Sequence, residues 1–140
     1  LLALVDLIYS KHYQKKELDK KIRGHGGLKA HLGTADIREI EKRILSGDNK
    51  AEQVYQAQAY QIAKGIGEMA AVLKGEIDGI ILTGGMAHSE KLTNMIKKYI
   101  AFLAPVKNLP GENEMEALAL GGLRLLRGEE EAHIFSSDLK

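Results

Sequence analysis

The stretch Gly79-Ile80-Ile81-Leu82-Thr83-Gly84-Gly85-Met86-Ala87-His88-Ser89 constrains this chain most. A short apolar run ends in a glycine pair, and helical spacing of apolar residues follows from about Glu90. That order predicts a buried strand, a tight turn and a helix. The glycines open backbone angles closed to other residues and let a ligand approach the main chain. The following helix presents unpaired N–H groups and a positive dipole end, suited to a phosphate or a nucleotide. A plain strand-to-helix connection fits the same residues, because short glycine motifs recur without ligands.

The surrounding pattern extends this unit. A long helix is expected from about Lys50 to Leu73, with Val54, Ile62, Ile66, Met69 and Leu73 on its buried face and alanines for close packing. Tyr55, Tyr60 and Met69 read as core rather than as cofactor contacts. Gly65 and Gly67, costly within a helix, suggest close approach of another element. The strand at about 79–83 follows, then a helix through Leu92, Ile96 and Ile100, and a second strand at about 105–109. Asn113 and Glu116 have capping-box spacing for a last helix. Ala117-Leu118-Ala119-Leu120 is apolar almost all round, so burial is expected there, and Gly121-Gly122 suggests tight helix packing. Two strands joined by a crossover helix give a parallel pair. Two strands make a poor sheet, so the expectation is that its other strands lie outside this chain.

The N-terminal part reads as helices and loops. Leu1, Leu4, Val5 and Ile8 form one apolar helical face. Lys11 to Arg23 reads as a short amphipathic helix with a solvated basic face. It lacks the interleaved aromatics and wider basic surface of a nucleic-acid site. Gly24-His25-Gly26-Gly27 is a loop, and Leu28 to Leu32 a brief extended piece. Asp36 precedes a helix carrying Ile37, Ile40 and Ile44, and Glu39 completes capping-box spacing. Arg38 falls in the first turn, where a cation opposes the dipole. That points to an anionic or aromatic partner, or to one exposed arginine.

Composition closes off several function classes. With 140 residues, 44% hydrophobic and 28% charged, this is an ordinary globular domain. A net charge of +1 gives no global field for nucleic acid or anionic membrane. The absence of cysteine removes disulfides and thiol chemistry and fits a reducing cytoplasm. His12, His25, His31, His88 and His133 show no metal-ligand spacing. Leu1-Leu2-Ala3-Leu4-Val5 is too short to span a bilayer.

Several segments together carry a resemblance. Gly26-Gly27-Leu28-Lys29-Ala30-His31-Leu32-Gly33-Thr34-Ala35-Asp36-Ile37-Arg38 resembles a stretch of butyrate kinases. So do Ala59 to Lys64, Met69 to Gly75, Ile81 to Ser89, and Pro110-Gly111-Glu112-Asn113-Glu114-Met115-Glu116-Ala117-Leu118-Ala119. The similarity runs from about Leu1 to His133. It points to the butyrate branch of the acetate/butyrate kinase family, since acetate kinases carry TGGIGEN and PTNEE at two of these places.

The resemblance implies a helix-rich α/β fold: a partial ribonuclease-H-like, actin-like ATPase C-terminal domain with a short parallel strand pair. It implies that residues 1–140 are one partial domain, the nucleotide-binding half of a two-domain kinase, with 129–140 a frayed tail. The catalytic arginines, histidine and aspartate and most of the acyl pocket are expected upstream, with no catalytic residue in this chain. The nucleotide contacts implied are Asp36, Arg38, Thr83, Gly84, Gly85, Met86, His88 and Ser89. The adenosine lies at Asp36 and Arg38. Glu114 is implied as a magnesium residue acting through water, and a first-turn carboxylate favoured by the helix dipole is its alternative.

The implied reaction is butyrate + ATP ⇌ butyryl phosphate + ADP, with ATP/ADP and Mg2+ as cofactors. A kinase for isobutyrate, propionate or acetate, or a non-catalytic nucleotide-binding fragment, is the alternative. Expected partners are ATP, a short-chain carboxylate, the N-terminal half of the kinase and a second copy in a homo-oligomer. Nucleic acid and membrane are not expected. A cytoplasmic location and no turnover by the isolated chain follow.

Overall fold

The computed structural model describes residues 2–10, 12–111 and 114–132. They fall into two units, Leu1–Pro110 and Gly111–Lys140. The first unit holds α1 (Leu2–Tyr9), α2 (Lys15–Arg23), α3 (Gly27–Leu32), α4 (Ile37–Leu45), α5 (Asn49–Val72), β1 (Ile80–Gly84), α6 (Glu90–Ile100) and β2 (Val106–Pro110). The second holds α7 (Glu114–Leu126).

β1 and β2 pair in parallel, with Ile80 opposite Val106 and Gly84 opposite Pro110. Each lies one residue further along than its apolar run suggests, with Gly84 still extended at the end of β1. α6 supplies the crossover. Ile80, Leu82 and Val106 turn to the core, whereas Ile81 and Leu109 on the opposite face are exposed.

The core is organised by α5. Ala51, Tyr55, Ala59 and Ala63 recur every four residues and are all buried. They share a cluster with Ile40 of α4, Leu28 and Leu32 of α3, and Leu92, Ile96 and Ile100 of α6. α6 packs along α5, and the small alanine side chains let the backbones draw together. This differs from the face expected from the bulky residues. Val54, Ile62 and Ile66 flank the alanine line and are only half-buried, and Met69 and Leu73 are exposed. Ile62, Ile66, Met69 and Leu73 instead line an apolar groove of about 350 Å3 together with Ile77 and Ile80. Tyr60 is also exposed and meets Tyr99 edge to face at 5.5 Å.

Three further expectations are corrected. Leu28 to Leu32 is helix, not an extended piece. Leu28 and Leu32 sit one turn apart and are both buried, and Gly33 at φ 79° ends the helix. Among the described residues, a Cβ at Gly65 or Gly67 would meet nothing within 4 Å, so neither marks a close approach of another element there. Within its own unit α7 buries none of its residues, and a Cβ at Gly122 would meet open space. The apolar run Ala117 to Leu120 is therefore not core there. Asn113 and most of the 129–140 tail lie outside the described residues.

Arg43 and Asp48 join three helices. Arg43 Nη1 donates to the Leu32 carbonyl at 2.8 Å, and its Nε donates to Asp48 Oδ2 at 2.9 Å. Asp48 Oδ1 accepts from the Ala51 N–H and so caps α5. These donors, Ala51 first and then Arg43, hold the Asp48 carboxyl below its usual range.

Candidate functional site

Gly84 has φ 81° and ψ −176°, a region essentially reserved for glycine. It reverses the chain at the end of β1 and launches a 3₁₀ turn, Gly85–His88. Ala87 of that turn is buried, while Gly85, Met86 and His88 are exposed. The turn lies against β2. Gly85 needs no positive φ, and a Cβ there would meet nothing within 4 Å. Its backbone therefore borders open space beside the start of α6. Thr83 is exposed one residue before the reversal.

Ser89 closes the turn as the N-cap of α6, its Oγ accepting from the Leu92 N–H at 2.9 Å. The same Oγ donates to Glu41 Oε1 at 2.5 Å and lies 2.9 Å from the Tyr55 hydroxyl. Tyr55 also donates to Glu41 Oε1, at 2.5 Å. The Ser89 hydroxyl thus serves the fold, and its single proton goes to Glu41. Tyr55 has no exposed surface. Burial and then the Glu41 hydrogen bond raise its pKa, so the phenol keeps its proton.

At the start of α4, Asp36 is the expected N-cap, with Oδ1 accepting from the Arg38 N–H at 2.9 Å. Arg38 folds back on it: Nε donates to Oδ1 at 3.0 Å and Nη2 to Oδ2 at 2.7 Å. The cation that opposes the helix dipole is thereby paired with its own cap. The Arg38 side chain stays 86% exposed, a planar cation paired with Asp36 and facing solvent.

The Arg38 side chain first, and its backbone N–H second, hold the Asp36 carboxyl down from 3.8 to about 2. A depressed folded-state pKa stabilises the fold fully above the ordinary value and ceases to as pH falls through the folded value. The Asp36–Arg38 contribution is therefore intact above about pH 4 and lost as pH falls toward 2. A carboxyl-detected NMR titration should place the Asp36 midpoint near 2, and Arg38→Ala should move it back toward 3.8. An unchanged midpoint in that variant would rule out the pairing.

The structure brings these two segments to one helix–turn arrangement. Asp36 and Glu41 lie five positions apart on the chain, about 7.5 Å of helical rise, and Glu41 reaches Ser89 directly. Glu114 begins α7 in the second unit, where Glu114 and Glu116 are acidic groups in a first helical turn. Among the described residues, no three His, Cys, Asp or Glu side chains gather as a metal site. Glu41 and Tyr55 were not legible as site residues. Tyr55 continues the four-residue alanine line, but nothing local tells which acid its hydroxyl will meet.

Residues 2–116 match the model of the acetokinase family. The chain belongs to the acetokinase family. Among acetokinase relatives, it is 54% identical over 134 residues to the probable butyrate kinase 2 of Caldanaerobacter subterraneus subsp. tengcongensis, covering 96% of this chain and 38% of that protein. It is 49% identical over 132 residues to the probable butyrate kinase of Bacteroides thetaiotaomicron, covering 94% and 37%. It is 47% identical over 129 residues to butyrate kinase 1 of Clostridium acetobutylicum, covering 92% and 36%. The chain spans little more than a third of the length of these relatives, in their C-terminal portion. The acetokinase fold is of the actin-like ATPase type, consistent with the helix-rich α/β arrangement and the parallel pair.

Proposed function

We propose that this chain is the nucleotide-binding part of a carboxylate kinase that interconverts butyrate + ATP and butyryl phosphate + ADP. The observation that carries the reading is the Gly84 reversal into a capped helix start. A main chain without side chains at Gly84 and Gly85 borders open space there, and N–H groups and a positive dipole end suit a polyphosphate. Thr83, Met86 and His88 flank that surface, and Ser89 holds it in place. The rigid, exposed Arg38 plane, fixed by Asp36, offers a stacking and polar surface for the adenosine. The relatives named butyrate kinase support butyrate as the acyl acceptor.

Phosphoryl transfer to a carboxylate relies on positioning and charge neutralisation. Mg2+ would supply charge neutralisation when bound, and Glu114, in the first turn of α7, is our candidate residue for it, acting through water. The residues that bind the carboxylate and stabilise the transferred group are assigned to the N-terminal half of the kinase. The exposed sheet face at Ile81 and Leu109 leaves surface for further structure. The whole enzyme is read as a cytoplasmic homo-oligomer. Among the described residues, no helix is long and apolar enough to cross a membrane.

Calorimetric titration of this chain with Mg-ATP tests the reading. Saturable binding is expected, with Gly85→Val and Asp36→Ala each raising Kd by about ten-fold or more, about 1.4 kcal/mol. No binding, or binding indifferent to both substitutions, would overturn it.

A further inference from the structure

Glu41, Tyr55 and Ser89 come from three separate stretches, 14, 34 and 48 residues apart in sequence, and their oxygens converge within 2.9 Å. Glu41 belongs to α4, Tyr55 to the middle of the α5 core seam, and Ser89 to the cap of α6. Glu41 is half-buried and Tyr55 has no exposed surface. Moving a carboxylate partly out of water costs free energy, and apolar side chains would pack such a junction at less cost. What a hydrogen-bonded junction adds is direction. Each hydroxyl aims at one carboxylate oxygen, and the cap geometry at Leu92 follows. The Lys91 ammonium lies 5.9 Å from the centre of the Tyr55 ring.

The carboxylate bears on function through its helix. α4 begins at Asp36 and Arg38, and its Glu41 grips the residue that ends the Gly84–Ser89 turn. We infer that Glu41 and Tyr55 are positioning residues that fix the spacing between the Asp36–Arg38 segment and the Gly84–Ser89 turn, and through it the affinity for the nucleotide. This inference rests on the nucleotide reading above. Neither side chain needs to touch the ligand. With the junction intact, both segments are held at one separation before ATP arrives, and binding has less ordering to do.

The test uses this chain with Tyr55→Phe, Glu41→Gln, Ser89→Ala and Ser89→Thr. Three quantities are measured: the Kd for Mg-ATP by calorimetry, amide hydrogen exchange over residues 85–92 without nucleotide, and the melting temperature. Tyr55→Phe and Glu41→Gln should each raise Kd by about ten-fold, the scale of losing one partner in a buried network. Exchange in the turn should quicken in both. Ser89→Ala should quicken exchange in the same way, and Ser89→Thr, which keeps the hydroxyl and the cap, should return exchange in the turn toward the wild-type rate. Variants that melt earlier but bind Mg-ATP like wild type would overturn the inference, leaving the junction a purely structural tie. A wild-type chain that does not bind Mg-ATP would remove the nucleotide reading itself, and this inference with it. The two failures are told apart by which protein fails to bind. Should Tyr55→Phe not fold, Glu41→Gln decides alone.

Discussion

Gly84→Ala should lower the melting temperature by about 4–12 °C, the equivalent of about 1–3 kcal/mol of backbone strain in a domain of this size. Gly85→Ala, one residue on, should stay within about 2 °C of wild type. Sequence alone treats the two glycines as a pair. The structure separates them. Gly84 sits at φ 81° and ψ −176°, where any Cβ is strained whatever the surrounding space. Gly85 has no positive φ and open space where its Cβ would be. Gly84 is therefore required by the fold, whereas the fold itself does not require glycine at Gly85, which on the proposed reading leaves room for the nucleotide. Binding should invert the order: Gly85→Val should leave the melting curve nearly unchanged and weaken Mg-ATP. Thermal denaturation followed by circular dichroism, with calorimetry on the same samples, checks both halves. Equal loss of stability in Gly84→Ala and Gly85→Ala would show that the reversal is not held at Gly84.

What the sequence makes legible here is local. The apolar run, the glycine pair and the helical spacing after Ser89 give strand, turn and helix within a residue or two of their observed ends. Asp36 as a cap is equally local, since an acid before a helical pattern has few other roles. Long-range choices are less legible. Ranking by bulk puts Ile62, Met69 and the capping Leu73 inward; Tyr55 as core and the alanines as packing residues are legible, but not that together they form the central line. Close packing selects residues that let two backbones approach, and hydrophobicity alone does not reveal that. Leu28 and Leu32 show the same difficulty at short range. Their spacing of four and the following Gly33 spell a one-turn helix, but the glycines before them read as loop and mask it. Arg38 pairs with Asp36 two residues away, because a first-turn cation can fold back on the cap itself, and its spacing alone does not show this. The Glu41–Tyr55–Ser89 junction had no signal at all, since its members meet only after three helices are packed.

Tyr55→Ala should be the most damaging single substitution in the first unit, costing about 3–5 kcal/mol, or roughly 12–20 °C in melting temperature. Two losses combine. The ring fills the centre of the α5 seam with no exposed surface, between Ala51 and Ala59, which are too small to close the cavity left behind. The hydroxyl is one of two donors to Glu41 Oε1, so its removal leaves a half-buried carboxylate with Ser89 alone. Tyr55→Phe separates the two. It keeps the ring and removes only the donor, and should cost about 1–3 kcal/mol. The difference between the variants measures the cavity. The donor can be isolated further with Ser89→Ala. Ser89 and Tyr55 share one acceptor, so the double variant Tyr55→Phe with Ser89→Ala should depart from additivity by about 0.5–3 kcal/mol in urea-denaturation measurements. Additive losses would mean that the two hydroxyls act separately. Equal losses for Tyr55→Ala and Tyr55→Phe would mean that the ring does not fill the seam and that the alanine line packs without it.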